Sequence, residues 1–318
     1  MPDFSNTLII GISARTLFDL EEENEIFHSQ GFEIYRKLQR EREKDILKPG
    51  TGFYLVKALL GLNKLSSSTR LVEVIVMSSN SPETGVRVWN SITELQLDIT
   101  RSAFTGGGKI SGYMEAFEID LFLSKSETDV QEVIDSKTAA AALVLEPPTN
   151  FISEEETVRI AFDADAVLFS DESEQIYKAQ GMAAFHQNES DNVNIPLNEG
   201  PHGKLLKSLA QIQKHMDPNV EINPLRLAIV TARSSPSHMR VINTLRAWEV
   251  YVDEAFFLGG MSKGKILKAF NAHIYFDDQD VHLQGTKEYV PSAKVFYGSD
   301  SPLNPANIKR DENNLEEK

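Results

Sequence analysis

The sequence predicts an α/β protein with two similar Rossmann-like halves, in which parallel sheets are flanked by helices. Two observations lead to this class. Short apolar runs of strand length alternate with longer helical segments along most of the chain, which is typical of parallel sheets covered by helices. The same landmarks then recur about 150 residues later, so we infer that one architecture is used twice.

The first half, residues 1–150, alternates predicted strands and helices. Leu8–Ile12 is a short apolar run of the length of a buried strand, and Glu21–Glu41 is mostly a charged helix. Lys48-Pro49-Gly50 is a turn before the next helix. The remaining elements are helix Thr51–Leu62, strand Val72–Met77, helix Thr84–Glu94, and strands Ile99–Phe104, Ile119–Leu123 and Ala140–Leu145.

The second half, residues 151–304, repeats this order after Glu146-Pro147-Pro148-Thr149-Asn150, where the diproline indicates a domain boundary. The polar segment His186–His202 is expected to be a loop or a small cap insertion near the site. Residues 305–318 are charged and poor in large apolar side chains, so we expect a disordered tail. The predicted strands of this half are Arg159–Phe162, Leu225–Val230, Ala255–Leu258, Ile274–Phe276 and Lys294–Tyr297.

Matching landmarks support the repeat. The pair Leu17-Phe18 recurs as Leu168-Phe169 at an offset of 151 residues, and Phe104-Thr105-Gly106-Gly107 recurs as Phe257-Leu258-Gly259-Gly260 at an offset of 153. In this alignment, polar residues of the second half correspond to apolar or neutral residues of the first. This difference indicates one catalytic half and one degenerate, non-catalytic half. Asp163, Asp165, Thr231 and Asp277-Asp278 are expected opposite Ile12, Ala14, Met77 and Ser124-Lys125.

Composition and charge exclude several functional classes. Of the 318 residues, 41% are hydrophobic and 25% charged, as in ordinary globular proteins. The net charge of −15 argues against binding nucleic acid polymers or anionic membranes over a broad face. The absence of cysteine excludes disulfides and thiolate metal sites and agrees with a cytoplasmic location. We see no signal peptide and no apolar run of membrane-spanning length.

Two aspartates end the first strand of the second half. Asp163 and Asp165 follow the apolar run Arg159–Phe162, and residues i and i+2 of a strand point the same way. In open α/β sheets, ligands bind at the carboxyl ends of the strands. Two carboxylates so close repel each other unless a cation lies between or beside them, and a divalent metal would serve. The alternative is a pair of solvated aspartates in a turn.

Three further segments place polar residues just after apolar strands of the same half. Thr231 and Arg233 follow one strand, Lys263 follows the Gly259-Gly260 turn, and Asp277-Asp278 follow another strand. Each residue has a simpler explanation, since Thr231 can cap a helix, Arg233 can form a structural salt bridge, and Lys263 can be a surface lysine. Lys265 is a rival to Lys263.

With these four segments in this order, the sequence resembles a phosphatase of the haloacid dehalogenase (HAD) superfamily. The segments Phe162-Asp163-x-Asp165-Ala166-Val167-Leu168-Phe169, Val230-Thr231-Ala232-Arg233-Ser234, Lys263-Gly264 and Phe276-Asp277-Asp278-Gln279 are similar to those of the cytosolic 5′-nucleotidase type I family. The resemblance extends into the first half at Ser13-x-Arg15-x-Leu17-Phe18. It departs at Ser235-Pro236-Ser237-His238, where a run of small residues is expected.

The resemblance implies a role for each residue. Asp163 would be the nucleophile that forms an aspartyl-phosphate, and Asp165 the general acid and base. Mg²⁺ would be held by the Asp163 carboxylate, the Asp165 main-chain carbonyl and one of Asp277 or Asp278, with Asp278 favoured. Thr231 would donate a hydrogen bond to a phosphoryl oxygen, and Lys263 would offset negative charge. Arg233 would meet the phosphate or base of the substrate.

The expected function is the Mg²⁺-dependent hydrolysis of nucleoside 5′-monophosphates to nucleoside and phosphate. The alternatives are a HAD phosphatase for another small phosphate ester, such as a sugar phosphate, and a catalytically silent nucleotide-binding or scaffold protein. The nucleotide is the expected partner, and a homo-oligomer is left open. Arg15 could reach the site from the first half, and Gly106-Gly107-Gly108 could cradle a phosphate or simply form a turn.

Overall fold

The computed structural model describes residues 4, 6–66, 69–148, 151–153, 157–216 and 223–309. Ten strands of this part of the chain form one sheet, flanked by helices. The strands are β1 (Leu8–Ile12), β2 (Val72–Ser78), β3 (Arg101–Phe104), β4 (Leu121–Ser124), β5 (Ala140–Val144), β6 (Val158–Phe162), β7 (Leu225–Thr231), β8 (Glu254–Phe257), β9 (Ile274–Asp277) and β10 (Ser292–Lys294). The helices are α1 (Ala14–Leu17), α2 (Glu21–Gln30), α3 (Phe32–Glu41), α4 (Phe53–Gly61), α5 (Val86–Glu94), α6 (Glu127–Ser136), α7 (Glu172–Asp191), α8 (Gly203–Lys214), α9 (His238–Ala247), α10 (Gly264–Phe270) and α11 (Asp280–Thr286).

The sheet consists of two half-sheets with the same strand order. Across the sheet the order is β3-β2-β1-β4-β5-β10-β9-β6-β7-β8. All neighbours within the first five strands, and all neighbours within the last five, are parallel. The first strand of each half lies between its second and its fourth. The repeat in the sequence is therefore a repeat of topology, and the predicted α/β class with mostly parallel strands is confirmed.

One antiparallel pair joins the halves into a single sheet. Ala293 of β10 lies opposite Val144 of β5, and Lys294 lies opposite Leu143. Strands of the two halves consequently run in opposite directions, so their carboxyl ends lie at opposite edges of the sheet. Arg15 follows β1 and therefore lies at the edge away from the residues that follow β6. The expectation that Arg15 reaches the second-half site is wrong for this reason.

The register of the strands defines which residues correspond between halves. Leu8 of β1 lies opposite Val72 of β2, as Val158 of β6 lies opposite Leu225 of β7. The strand ends agree with this count. The backbone N–H of Ser13 donates to Leu123 as that of Asp163 donates to Phe276. The corresponding residues are Ser13 and Asp163, Arg15 and Asp165, Ser78 and Thr231, Ser124 and Asp277, and Lys125 and Asp278.

The predicted counterparts Ile12, Ala14 and Met77 are thus wrong by one residue. The turn after β6 has five residues, Ala164–Leu168, whereas its equivalent α1 has four. The landmark Leu17-Phe18 at the end of that turn therefore gives an offset of 151 residues where β1 and β6 give 150, which explains the error at Ile12 and Ala14. The error at Met77 has another cause, because its pairing with Thr231 assumes an offset of 154 where β2 and β7 align at 153. The prediction for Ser124 and Lys125 agrees with the register, because it uses the offset of 153 residues at which β4 and β9 align.

A pair of helices follows the first strand of each half. In the first half α2 and α3 meet at Gly31, and in the second half α7 bends at Gly181, with φ of 85° and 80°. Both angles lie in the left-handed region that favours glycine. The segment 186–202 is accordingly helical as far as Asp191, and only residues 192–202 are irregular. The first half carries equivalent helices, so these elements belong to the repeated unit.

The ends of the second half differ from the prediction. The last strand covers Ser292–Lys294 and not Lys294–Tyr297, because these are the residues that pair with β9. Residues 305–309 are helical, against the expected disorder of the tail, and residues 310–318 lie outside the described part. Thr149 and Asn150 of the predicted boundary also lie outside it.

One hydrophobic core runs along a single face of the whole sheet. It contains Ile12 and Val76 of the first half together with Phe162, Ile229 and Phe276 of the second. Two smaller cores cover the other face, one beneath each half-sheet. In the described residues no helix is both long and apolar enough to cross a membrane.

Candidate active site

Asp163 begins a distorted turn at the end of the central strand β6. Its backbone N–H donates to the carbonyl oxygen of Phe276 at 2.8 Å, which fixes the residue beside β9. The turn Ala164–Leu168 follows and is not helical in its middle, where Asp165 is extended and Ala166 has a φ of 59°. A left-handed alanine costs about 1–2 kcal/mol, and strained backbone of this kind clusters at functional sites. This turn sends the side chains of Asp163 and Asp165 to different partners.

Lys263 connects the strand ends electrostatically. Its Nζ lies 3.0 Å from Asp163 Oδ1 and donates to Asp277 Oδ2 at 2.8 Å. It also donates to the hydroxyl of Tyr275 at 2.8 Å. Burial lowers the pKa of Lys263, but the two carboxylates outweigh this and raise it above its ordinary value. Lys265 is exposed, so of the two lysines Lys263 is the one that lies beside the carboxylates, and its role stays a prediction.

The two acids after β9 have different hydrogen-bond partners. Asp277 is fully buried, and its Oδ2 accepts from Lys263 and Tyr275 while its Oδ1 accepts from the backbone N–H of Gln279. Asp278 accepts from the hydroxyl of Tyr297 through Oδ2. Its Oδ1 is buried and has no hydrogen-bond donor among the described residues. Asp278 therefore keeps one oxygen free for a further ligand.

The carboxylates carry more negative charge than the lysine can balance. Burial, together with Asp277 and Asp165, raises the pKa of Asp163 to about 6 even though Lys263 opposes the shift. Burial and the charges of Asp163 and Asp277 likewise raise the pKa of Asp278 well above its usual range. Burial would also raise the pKa of Asp277, but Lys263 and His282 lower it to about 2. Such a site favours an additional cation.

Thr231 ends β7 with its side chain buried. Its Oγ1 accepts the backbone N–H of Arg233 at 3.2 Å, a local turn rather than a helix cap, because α9 begins only at His238. The hydroxyl hydrogen has no acceptor among the described residues and is available to donate. The role of Thr231 as a donor to substrate stays a prediction.

Arg233 and Asp165 form a bidentate ion pair. The guanidinium donates to the two Asp165 oxygens at 2.8 Å and 2.5 Å. The same side chain donates to Glu189 of α7, which also accepts from Arg240 at 2.9 Å and from Ser173 at 2.9 Å. Burial opposes the charge of Arg233, but Asp165 and Glu189 raise its pKa further above its usual range. The structural salt bridge is therefore present, and contact of Arg233 with substrate stays a prediction.

The sequence analysis missed four residues that touch these side chains: Tyr275, Tyr297, Glu189 and His282. His282 Nδ1 lies 3.2 Å from Asp277 Oδ2. A weak signal existed for His282, which lies in the first turn of α11, the helix that follows Asp277-Asp278. No local pattern predicts the other three. The two tyrosines lie in or near apolar segments, and Glu189 is distant in sequence from the residues that it contacts.

The donor set can be compared with what a metal needs. One ligand atom from each of Asp163, Asp277 and His282 lies within 4.8 Å of the others. Proximity alone selects these three residues. Hydrogen bonding favours Asp278 instead, because both oxygens of Asp277 already accept hydrogen bonds while Asp278 Oδ1 accepts none. We give more weight to the free oxygen, because a buried carboxylate oxygen without a donor is costly unless a cation binds it. Mg²⁺, which prefers oxygen ligands, fits this environment.

Known proteins are similar to this chain over most of its length. A family model described as 5′-nucleotidase matches residues 1–302. Human cytosolic 5′-nucleotidase 1B is 35% identical over 294 residues, which cover 90% of this chain and 48% of that protein. The chain thus spans about half the length of this curated relative. No solved structure matches the chain.

Proposed function

The chain belongs to the 5′-nucleotidase family, and on this premise we propose that it hydrolyses nucleoside 5′-monophosphates to nucleoside and phosphate, with Mg²⁺ as cofactor. One observation carries the proposal: Asp163, Asp277 and Asp278 are buried at adjacent strand ends with Lys263 in contact with two of them. A phosphate monoester is anionic, and such a cluster can accept it only with a metal ion.

Three groups are proposed to hold Mg²⁺: the Asp163 carboxylate, the main-chain carbonyl of Asp165 and the free oxygen of Asp278. When bound, the ion would offset the charge of phosphate and carboxylates and orient the phosphoryl group. The hydrogen bond from Tyr297 holds Asp278 with its other oxygen available. Asp277 then has a supporting role, because its contacts fix Lys263 beside Asp163.

The proposed reaction has two steps. One Asp163 oxygen attacks phosphorus, the bond from phosphorus to the 5′ oxygen breaks, and Asp165 gives its proton to the departing oxygen. Water then attacks the aspartyl-phosphate and loses a proton to Asp165, which releases inorganic phosphate and restores both carboxyl groups. Thr231 donates to a phosphoryl oxygen, and Lys263 stabilises the negative charge as it builds.

Asp165 has to exchange partners in this scheme. In the structure both of its oxygens accept hydrogen bonds from Arg233, so neither is free to meet a substrate. Proton donation requires Asp165 to turn towards the leaving oxygen, so we propose that substrate binding separates this pair. Arg233 would then remain held by Glu189 and be able to face the substrate.

A phosphate-release panel tests the proposal. Nucleoside 5′-monophosphates and sugar phosphates are each incubated with the protein in Mg²⁺ and in EDTA. We expect release from the nucleotides in Mg²⁺ and none in EDTA. Faster release from sugar phosphates would favour a phosphatase of another substrate class, and no release from either would favour a silent nucleotide-binding or scaffold protein.

The proposal extends to organisation and location. We propose residues 1–150 as the non-catalytic domain and residues 151–304 as the catalytic one. The human relative is named as a cytosolic enzyme, and we propose a cytoplasmic location for this chain as well.

A further inference from the structure

A cavity of about 550 Å³ lies at the carboxyl edge of the first half-sheet, away from the carboxylate cluster. It is lined by Ser13, Ser78 and Ser124, which follow or end the strands β1, β2 and β4. We infer that this cavity is a second ligand site, which binds a small phosphate monoester carrying an aromatic ring and needs no metal. The inference is independent of the proposed hydrolysis.

The equivalent positions of the two halves differ in charge. Serines replace Asp163 and Asp277, and Arg15 and Lys125 replace Asp165 and Asp278, while a hydroxyl is kept at Ser78 in the place of Thr231. Four acids that require a cation have thus become two hydroxyls and two cations. The first-half cavity can accept an anion directly, yet it has no carboxylate at the nucleophile position and cannot form an acyl-phosphate.

Two buried hydroxyls are available as donors. Ser78 Oγ accepts the backbone N–H of Asn80 at 3.2 Å, and Ser124 Oγ accepts that of Ser126 at 3.1 Å. Both serines are buried, with 7% and 1% of their surface exposed. Neither hydroxyl hydrogen has an acceptor among the described residues, so both can donate to a ligand oxygen, as Thr231 is proposed to do.

Arg15 and Lys125 already hold a carboxylate of the chain itself. Both donate to Glu21, at 2.8 Å and 2.9 Å, and Lys125 also donates to Glu146 at 2.9 Å. The Glu21 and Glu146 side chains are 39% and 73% exposed, whereas that of Lys125 is only 8% exposed. Lys125 is therefore held at the cavity, whereas Arg15, with 32% of its side chain exposed, is about as exposed as Glu21. A phosphate can compete with Glu21 and Glu146 for the two cations, because ion pairs with partly exposed carboxylates are weak.

The acids that line the cavity are Glu23 and Asp129. Glu23 is neutralised by Arg87, to which it is hydrogen-bonded at 2.5 Å. Asp129 has no ion pair among the described residues, and burial raises its pKa together with the nearby charge of Glu132. It opposes an anion, so its removal should improve binding.

Aromatic side chains form the outer wall of the cavity. Phe27 and Phe32 are 43% and 44% exposed, and Phe27 meets Tyr35 edge to face at a centroid distance of 5.6 Å. Rings exposed to this extent beside a polar pocket can stack on a flat apolar group of a ligand. The equivalents of Phe27 and Phe32 in the second half are Tyr177 and Met182, so this wall is more aromatic in the first half.

Phenylphosphonate is a suitable probe, because its carbon–phosphorus bond is not hydrolysed by a phosphatase. Its binding is measured by titration calorimetry on the full chain in EDTA, beside inorganic phosphate. We expect phenylphosphonate to bind and inorganic phosphate to bind at least about tenfold more weakly, since one stacked ring contributes that much. No heat from phenylphosphonate, or equal affinity for both compounds, would overturn the assignment.

Matched variants of the two halves locate the site. Ser78→Ala should weaken phenylphosphonate binding several-fold, Lys125→Met about tenfold or more, and Asp129→Asn should strengthen it. Thr231→Ala, the equivalent change in the second half, should leave it unchanged. Thermal melting of each variant identifies those that fail to fold, and the Asp129→Asn gain cannot arise from misfolding. Loss of binding in Thr231→Ala with none in Ser78→Ala would contradict the inference.

Discussion

At the scale of single residues, Lys263 offsets part of the negative charge of the site. Its ammonium group contacts both Asp163 and Asp277, and its side chain is 2% exposed. Its replacement leaves buried carboxylates without a partner and removes a group that would face the phosphate. Both effects act on the same step, the approach of an anionic substrate to an anionic nucleophile.

We expect Lys263→Met to lower kcat by about 100-fold or more, as loss of one preorganised charge typically does. The measurement is steady-state phosphate release from a nucleoside 5′-monophosphate. Lys265→Met is the matched control, because Lys265 is two residues away and exposed, and it should retain wild-type activity. Similar losses in both variants would contradict the assignment of Lys263.

Tyr297 is expected to tune the affinity for the metal. Its hydroxyl donates to Asp278 and fixes that carboxylate. Tyr297→Phe should raise the Mg²⁺ concentration needed for half-maximal activity by about tenfold, since partners that orient metal ligands commonly contribute this much. Tyr251→Phe, at a position 71% exposed, is the control. An unchanged Mg²⁺ dependence in Tyr297→Phe would argue against Asp278 as a ligand.

At this scale the sequence predicts residue types well and contacts poorly. Asp163, Thr231, Lys263 and the acidic pair could be named because each follows an apolar strand. The ion pair between Asp165 and Arg233 could not, because it depends on how the turn after β6 directs the Asp165 side chain.

At the scale of elements, Glu189 ties α7 to the turn after β7. Its carboxylate accepts from Arg233, Arg240 and Ser173 and is fully buried. Glu189→Gln removes a charge that two buried arginines share, and it should lower the free energy of unfolding by about 3–5 kcal/mol. Denaturant unfolding provides the measurement.

The control for this change is Glu172→Gln, an exposed position at the start of the same helix. It should alter the free energy of unfolding by less than about 0.5 kcal/mol. Equal stability of the two variants would show that the network around Glu189 adds no stability.

Element positions follow from the sequence, but the alignment of the halves does not. Alternation of apolar and polar runs located the strands to within a few residues. The extra residue in Ala164–Leu168 gives Leu17 and Leu168 an offset one residue larger than that of β1 and β6, and β2 and β7 align at a different offset again. The serines opposite Asp163 and Thr231 therefore became visible only from the strand register. A one-residue shift changed an apparently apolar first-half site into a polar one.

At the scale of the whole molecule, two half-sheets with the same strand order meet at a short antiparallel junction. The sequence could not reveal this junction. The strand β10 has only three residues and no recognisable pattern, and its pairing with β5 joins residues about 150 positions apart. The consequence for function is large, because it separates the two ligand-binding edges.

The shared core leads us to expect one cooperative unfolding transition. Apolar residues of both halves pack together on one face of the sheet. Each half also contains one tryptophan, Trp89 or Trp248, so the variants Trp89→Phe and Trp248→Phe report on one half each. In each variant, denaturation is followed by the fluorescence of the remaining tryptophan and by circular dichroism. We expect the two probes to give the same midpoint within each variant. Separate midpoints within one variant would indicate independent halves.

The central claim is that only the second half performs phosphoryl transfer and that Asp163 is its nucleophile. The most direct test compares the turnover of Asp163→Asn with that of Ser13→Ala in saturating Mg²⁺. These positions correspond in the two half-sheets. We expect Asp163→Asn to lose about a thousandfold or more of kcat while remaining folded, and Ser13→Ala to keep wild-type turnover. Wild-type turnover in Asp163→Asn would contradict the account.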